Sequence, residues 1–238
     1  MNQFERLTEY WQKLYYVELL MFLVELAALI IALIYVRKNK IGQFFIFYIV
    51  FDFCILIIDT FFISRADISI KYKTLFLNYT NPLIALTELG TYYYFFSKVL
   101  SGTRIKKLMK SLGVFYLLLI IIFVITKFSF LTSRFSYISD LLGAIEFLLL
   151  IPPCFVFFYQ LINNRSELKL FERPSFWIVT GIFFFSVISI PYYVLQKYLG
   201  SNKNEFEYIL SSVFFYIPFT INFAFLIKAF LCKNTLTT

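Results

Sequence analysis

Residues 137–162 read YISDLLGAIEFLLLIPPCFVFFYQLI, an apolar run with no lysine or arginine in it. About 20 such residues, rising roughly 1.5 Å each in a helix, cross the hydrocarbon core of a bilayer. Six further runs of this kind stand near 17–36, 42–63, 82–99, 112–126, 176–196 and 208–231. The expected fold is therefore all-α. It is a polytopic membrane protein in which 1–238 form a single seven-transmembrane helix bundle. The run at 112–126 is the shortest; if it did not span, every later helix would reverse direction.

Composition agrees. Of 238 residues, 61% are hydrophobic, 22% aromatic and 15% charged, with a mean hydropathy of +0.78. Soluble domains carry about 25% charged and about 45–50% apolar residues. These values exclude a soluble globular domain, a disordered tail and a nucleic-acid-binding module. The chain has no histidine, and Cys54, Cys154 and Cys232 are scattered without a CxxC pair. That excludes a disulfide framework, Cys- or His-based zinc, haem held by histidine, and Ser-His or Cys-His nucleophiles. No catalytic residue, resident metal or cofactor is assigned. Any metal here would have to prefer oxygen donors.

Lysine and arginine set the direction of such a bundle. With the N-terminus outside, the cytoplasmic segments hold Arg37, Lys38, Lys40, Lys98, Arg104, Lys106, Lys107, Lys110, Arg165, Lys169, Arg173, Lys228 and Lys233. Fewer fall on the other side, so the bundle is read as N-out and C-in, multi-pass in the plasma (inner) membrane. Its net charge of +8 is then a property of basic loops facing an anionic leaflet, not of a nucleic-acid surface. Residues 1–16 contain Glu5 and Glu9 and lack the apolar centre of a signal peptide. Phe4, Leu7, Trp11 and Leu14 recur at helical spacing and predict an amphipathic interfacial helix leading into the first span.

The informative residues are acidic. Glu25, Asp52, Asp59, Glu88 and Glu146 lie inside apolar spans, while Glu18 and Asp140 lie at their outer ends. No lysine or arginine lies deep in any span. Glu18 and Glu25 are seven residues apart, as are Asp52 and Asp59, so each pair shares a helix face. Counting about 1.5 Å per residue puts Glu25, Glu88 and Glu146 at similar depth, roughly 9–12 Å below the outer boundary. Ionisable side chains in a membrane are costly and by default functional candidates. Without basic partners, carboxylates at this depth must be protonated and hydrogen-bonded, must line a wet cavity, or must hold a cation. Hydroxyls and an amide stand ready in the same spans, including Thr91, Tyr92, Ser186, Ser189, Tyr192, Tyr216, Thr220 and Asn222. The expected ligand- or cation-binding set is Glu25, Asp52, Asp59, Glu88 and Glu146, with Tyr92, Tyr192 and Tyr216. Pro152-Pro153, Pro191 and Pro218 interrupt the fifth, sixth and seventh spans, where freed carbonyls form hinges or ion contacts.

Glu88 with its tail Tyr92-Tyr93-Tyr94-Phe95-Phe96, Ala144-Ile145-Glu146-Phe147, and the short basic connectors resemble small heptahelical membrane proteins of Bacteroidetes-type bacteria. That resemblance implies a seven-helix membrane fold and carries no activity with it. The layout is also similar to the seven-helix sensory modules of bacterial kinases, here without a kinase. Microbial rhodopsins share the helix count, but they need a retinal lysine in the middle of the seventh span, and Lys228 lies near its cytoplasmic end.

The function expected from these residues is that of a receptor or sensor. An outward-facing acidic pocket would take a cation, an amine or protons, and the basic loops would contact a cytoplasmic or membrane effector. A small proton- or cation-coupled transporter is the alternative, although the inner half looks apolar and closed. An intramembrane enzyme acting on a lipid through paired carboxylates is a third reading, and no nucleophile accompanies them. Partners are the bilayer and that effector, with no nucleic acid.

Overall fold

Between Gln3 and Tyr35 the chain has neither glycine nor proline. Nothing interrupts the backbone ladder there, and α1 runs from Gln3 to Tyr35 as one helix. The lead-in expected at 1–16 is continuous with the apolar run that follows it. The computed structural model describes residues 3–36, 39–58, 70–129, 136–163, 170–199 and 205–232, with side-chain surroundings from Leu19 in α1 and from Tyr216 in the last helix. Among these residues the architecture is all-helical. Beyond α1 stand α2 (Lys40–Ile57), α3 (Ile70–Val99), α4 (Thr103–Ser129), α5 (Ser136–Asn163), α6 (Pro174–Leu199) and α7 (Glu205–Phe230), with a 3-10 turn at Leu170–Glu172 before α6.

Several boundaries differ from the apolar runs, each for a local reason. Helix α4 begins at Thr103, so the basic stretch Arg104 to Lys110 is helical and largely exposed, not a loop. Lysine, arginine, leucine and methionine are good helix formers. The break lies just before them, at Gly102, whose φ of 104° is the left-handed turn that ends one helix and frees the next. Helix α3 begins at Ile70, so Pro82 lies inside it and not in its first turn. Helix α2 starts from Asn39, whose side-chain oxygen accepts the Ile41 N–H at 2.9 Å. The α1–α2 turn is tight enough that a β-carbon on Gly42 would overlap the Val36 carbonyl.

The helices close into a ring. α1 packs on both α2 and α7, α2 on α3, α3 on α5, α5 on α6, and α6 most extensively on α7, while α4 flanks α3 and α5. Ser101 donates its N–H to Gln160 Oε1 (3.1 Å), and Gln160 Nε2 donates back to the Ser101 carbonyl (3.0 Å). This pair ties the end of α3 to the end of α5. Lys228 Nζ lies 5.8 Å from the centre of the Trp177 ring, and Lys98 Nζ lies 5.4 Å from that of Tyr94. One end of the bundle thus carries exposed basic side chains beside aromatic rings.

The outward faces are apolar: Leu20, Leu23, Ile34, Phe47, Ile122, Leu148 and Phe155 are all exposed. Three helical stretches, Lys40–Ile57, Leu141–Asn163 and Pro174–Tyr193, are long and apolar enough to cross a membrane. At the centre of the basic half, the Phe45 ring meets Phe95 and Phe230 edge-on at 5.9 Å each, closing the core with aromatic carbon.

Candidate functional site

Each described intramembrane-type acid sits on the buried stripe of its helix. In α2 the buried positions are Ile41, Gly42, Phe45, Tyr48, Ile49 and Asp52, a three-to-four-residue rhythm that stacks Tyr48 one turn from Asp52. In α1 the buried stripe is Met21, Glu25, Ala28 and Ala32; in α3 it includes Glu88, Tyr92, Phe95 and Phe96; in α5 it includes Leu142, Glu146, Leu150 and Cys154. Glu25 is 1% exposed, Glu88 2%, Glu146 3% and Asp52 7%. Four of the five acids thus face inward. Asp59, the fifth, lies outside the described residues.

They also meet. Asp52 interacts electrostatically with Glu25 on one side and Glu88 on the other, and Glu88 interacts with Glu146 beyond it. Electrostatic coupling thus runs from the acid of α1 through those of α2 and α3 to that of α5, with Glu88 coupled to two of the others. At about 1.5 Å per residue, Glu25, Asp52 and Glu88 lie at one level, roughly 15–18 Å from the helix ends on the basic side. The Tyr48 hydroxyl is within electrostatic reach of Glu25, Asp52 and Glu88 together. Its ring stacks on Phe223 of α7 (6.3 Å, 8° between planes) and stands edge-on to Tyr92 (5.9 Å).

A hydrogen bond joins this level to α7: Asn222 Nδ2 donates to the Tyr92 hydroxyl at 2.7 Å. On the far side, Tyr116 of α4 donates its hydroxyl to the Leu142 carbonyl (3.3 Å) and faces the Glu146 carboxyl. Tyr93 donates to the Leu149 carbonyl at 3.2 Å. Tyr193 lies against Gly143, where an added β-carbon would come within 2.9 Å of the ring.

No lysine or arginine is buried among the described residues. Among the described residues six buried side-chain atoms have no hydrogen-bond partner: Glu25 Oε1, Tyr48 Oη, Glu88 Oε1, Glu146 Oε1, Ser186 Oγ and Asn222 Oδ1. Every one of the six is an oxygen. Buried polar atoms are normally satisfied, whereas these carboxyl, amide and hydroxyl oxygens lack partners in the interior. Among the described residues no three histidine, cysteine, aspartate or glutamate side chains converge closely enough to hold one metal ion.

Of the expected tyrosines, Tyr92 is fully buried at the centre of the site. Tyr192 is half-buried, with its ring edge-on to Tyr193 at 5.2 Å. Tyr216 is half-buried, and its carbonyl accepts the Thr220 hydroxyl at 2.9 Å. On α6, Tyr193 and not Tyr192 is the electrostatic neighbour of Tyr116 beside Glu146. Tyr48, Tyr116 and Tyr193 are not among the tyrosines expected from the sequence, yet each is an electrostatic neighbour in this group. Tyr48 was legible, because it stands four residues before Asp52 on an inward face; Tyr116 had no such signal.

No family model, curated protein or solved structure matches the chain.

Proposed function

We propose that this chain is a seven-span membrane protein, N-terminus outside, that acts as a receptor or sensor for a positively charged ligand. Glu25, Asp52, Glu88 and Glu146 receive that ligand, which is a cation, an amine or a proton, and Asp59, seven residues after Asp52 in the sequence, is a further candidate acid. The basic end, with the exposed first turns of α4, couples its binding to a cytoplasmic or membrane effector in the plasma (inner) membrane. One observation carries the reading: four buried carboxylates from four helices are electrostatically coupled, with no buried lysine or arginine among the described residues. Like charges in a low-dielectric interior repel, and binding of a positive species relieves that repulsion. The apolar exterior supports the membrane assignment, since a water-exposed surface of this kind would aggregate. Sensing is preferred over transport because Phe45, Phe95 and Phe230 close the path from the acids to the basic end.

The test is a binding screen on purified full-length protein in detergent, using alkali salts, divalent salts, alkylamines and pH steps. The expected result is stabilisation by at least one positive species that is lost in both Glu88→Gln and Glu146→Gln. Glutamine keeps size and hydrogen-bonding capacity while removing charge. A wild-type protein indifferent to every positive species, or full responses in both variants, would reduce the acids to interhelical hydrogen bonding.

A further inference from the structure

We infer that the Pro152-Pro153 break makes the last turns of α5 a hinged arm, latched by Tyr93 of α3 and tied to the basic start of α4. The inference goes beyond the ligand reading: it gives a route from an acid-bearing helix to the basic end, whatever the ligand. Proline has no N–H, so Pro152 and Pro153 leave the carbonyls of Leu148 and Leu149 without their donors four residues on. Helix α3 fills one of these gaps. The Tyr93 hydroxyl donates to the Leu149 carbonyl at 3.2 Å, and this is the carbonyl that Pro153 orphans. The Tyr93 ring lies against Gly113 of α4, where an added β-carbon would stand 3.1 Å from its Cδ2 and 3.3 Å from its Cε2. Three helices thus meet at the latch.

Beyond the break, Cys154 and Phe157 face the core, while Phe155, Tyr159 and Ile162 face outward. Against α6 the arm rests on Phe183, which Phe155 meets edge-on at 5.5 Å and Phe158 at 5.9 Å. Against α3 its polar tie is Gln160, which accepts from the Ser101 N–H (3.1 Å) and donates to the Ser101 carbonyl (3.0 Å).

That tie carries motion of the arm to α4. Over the roughly 11 Å from Pro153 to Gln160, a change of about 20° in bend, the scale of a proline kink, displaces Gln160 by about 4 Å. Neither bond to Ser101 survives such a shift unless Ser101 follows. Ser101 is free to follow because Gly102 comes next, with a φ of 104° that no β-carbon restrains. The exposed Arg104, Lys106 and Lys107 begin just beyond it.

The experiment is hydrogen–deuterium exchange, read by mass spectrometry on the purified full-length chain in detergent at one pH. Tyr93→Phe keeps the ring and removes the latching hydroxyl. It is expected to speed exchange roughly two- to tenfold in 154–163 and in 101–110, and to leave α1 and α7 at wild-type rates. Pro153→Ala restores an N–H for the Leu149 carbonyl. It is expected to slow exchange in 154–163 and, in combination, to cancel the effect of Tyr93→Phe. In a Gln160→Ala background, Tyr93→Phe is expected to act on 154–163 alone. Equal acceleration of every helix in Tyr93→Phe, or no acceleration of 154–163, overturns the inference. So does a Tyr93→Phe effect undiminished by Pro153→Ala, or an effect on 101–110 that survives Gln160→Ala. Should Tyr93→Phe not fold, Pro153→Ala decides alone, and unchanged exchange in 154–163 overturns the hinge. No cation or pH step enters these measurements, so the latch and the charged-ligand reading fail separately.

Discussion

Asn222 of α7 reaches across the bundle to Tyr92 of α3, 130 residues away in sequence, and donates a 2.7 Å hydrogen bond to its hydroxyl. Both side chains are fully buried. The bond holds α7 at the level of the carboxylates, and the same helix carries Lys228 at the basic end. Removing the Tyr92 hydroxyl strands the whole amide of Asn222 in the core. Tyr92→Phe is expected to cost about 1–3 kcal/mol. Adding Asn222→Leu removes the stranded amide and is expected to recover part of that loss. Thermal unfolding of the single and double variants in detergent checks this; a double variant less stable than Tyr92→Phe alone contradicts it.

Gly181 lets α6 and α7 approach. A β-carbon there would stand 2.8 Å from Phe225 Cβ and 3.0 Å from Asn222 Oδ1. Gly181→Ala is expected to destabilise by about 1–3 kcal/mol, because neither contact can yield without moving a helix. Gly90 faces open space, with nothing within 4 Å of an added β-carbon. Gly90→Ala is expected to be neutral or to stabilise by up to about 1 kcal/mol through helix propensity. Comparing the two unfolding temperatures settles the matter, and equal effects would mean that the close approach of α6 to α7 is not real.

Protons compete with any other positive ligand for the carboxylates of Glu25, Asp52, Glu88 and Glu146. Affinity for a positive species that stabilises the protein is therefore expected to fall as pH is lowered, because each bound proton removes a charge that attracts it. Binding isotherms of that species across a pH series measure this. An affinity that rises with acidity would rule out carboxylate ligands.

Orientation is checked with reporters active only in the cytoplasm. A fusion after Thr238 is expected to give signal, and one in the connector between α2 and α3 is expected to be silent. The reverse pattern would turn the coupled acids toward the other face of the membrane and remove the basis for an outward-facing site.

Reading along the chain was enough to give seven helices, because apolar runs bounded by basic or polar turns are local features. Helix ends were less legible. The basic turns of α4 and the start of α3 before Pro82 carry no apolar signal, and a helix continues wherever its backbone ladder is unbroken. Inward placement of Glu25, Asp52, Glu88 and Glu146 followed from the cost of exposing acids on an apolar face. The four-residue spacings Tyr48–Asp52 and Tyr92–Glu88 were in the sequence as well.

Which acids meet was decided by the tertiary structure alone. Glu88 joins Asp52 to Glu146 only because α3 packs between α2 and α5, and Asn222 finds Tyr92 only because α7 closes the ring beside α1 and Gly181 admits it. Helical periodicity fixes which side chains share a face; it leaves free the rotation of each helix about its axis and the order of its neighbours. Those are set by the packing of all seven at once.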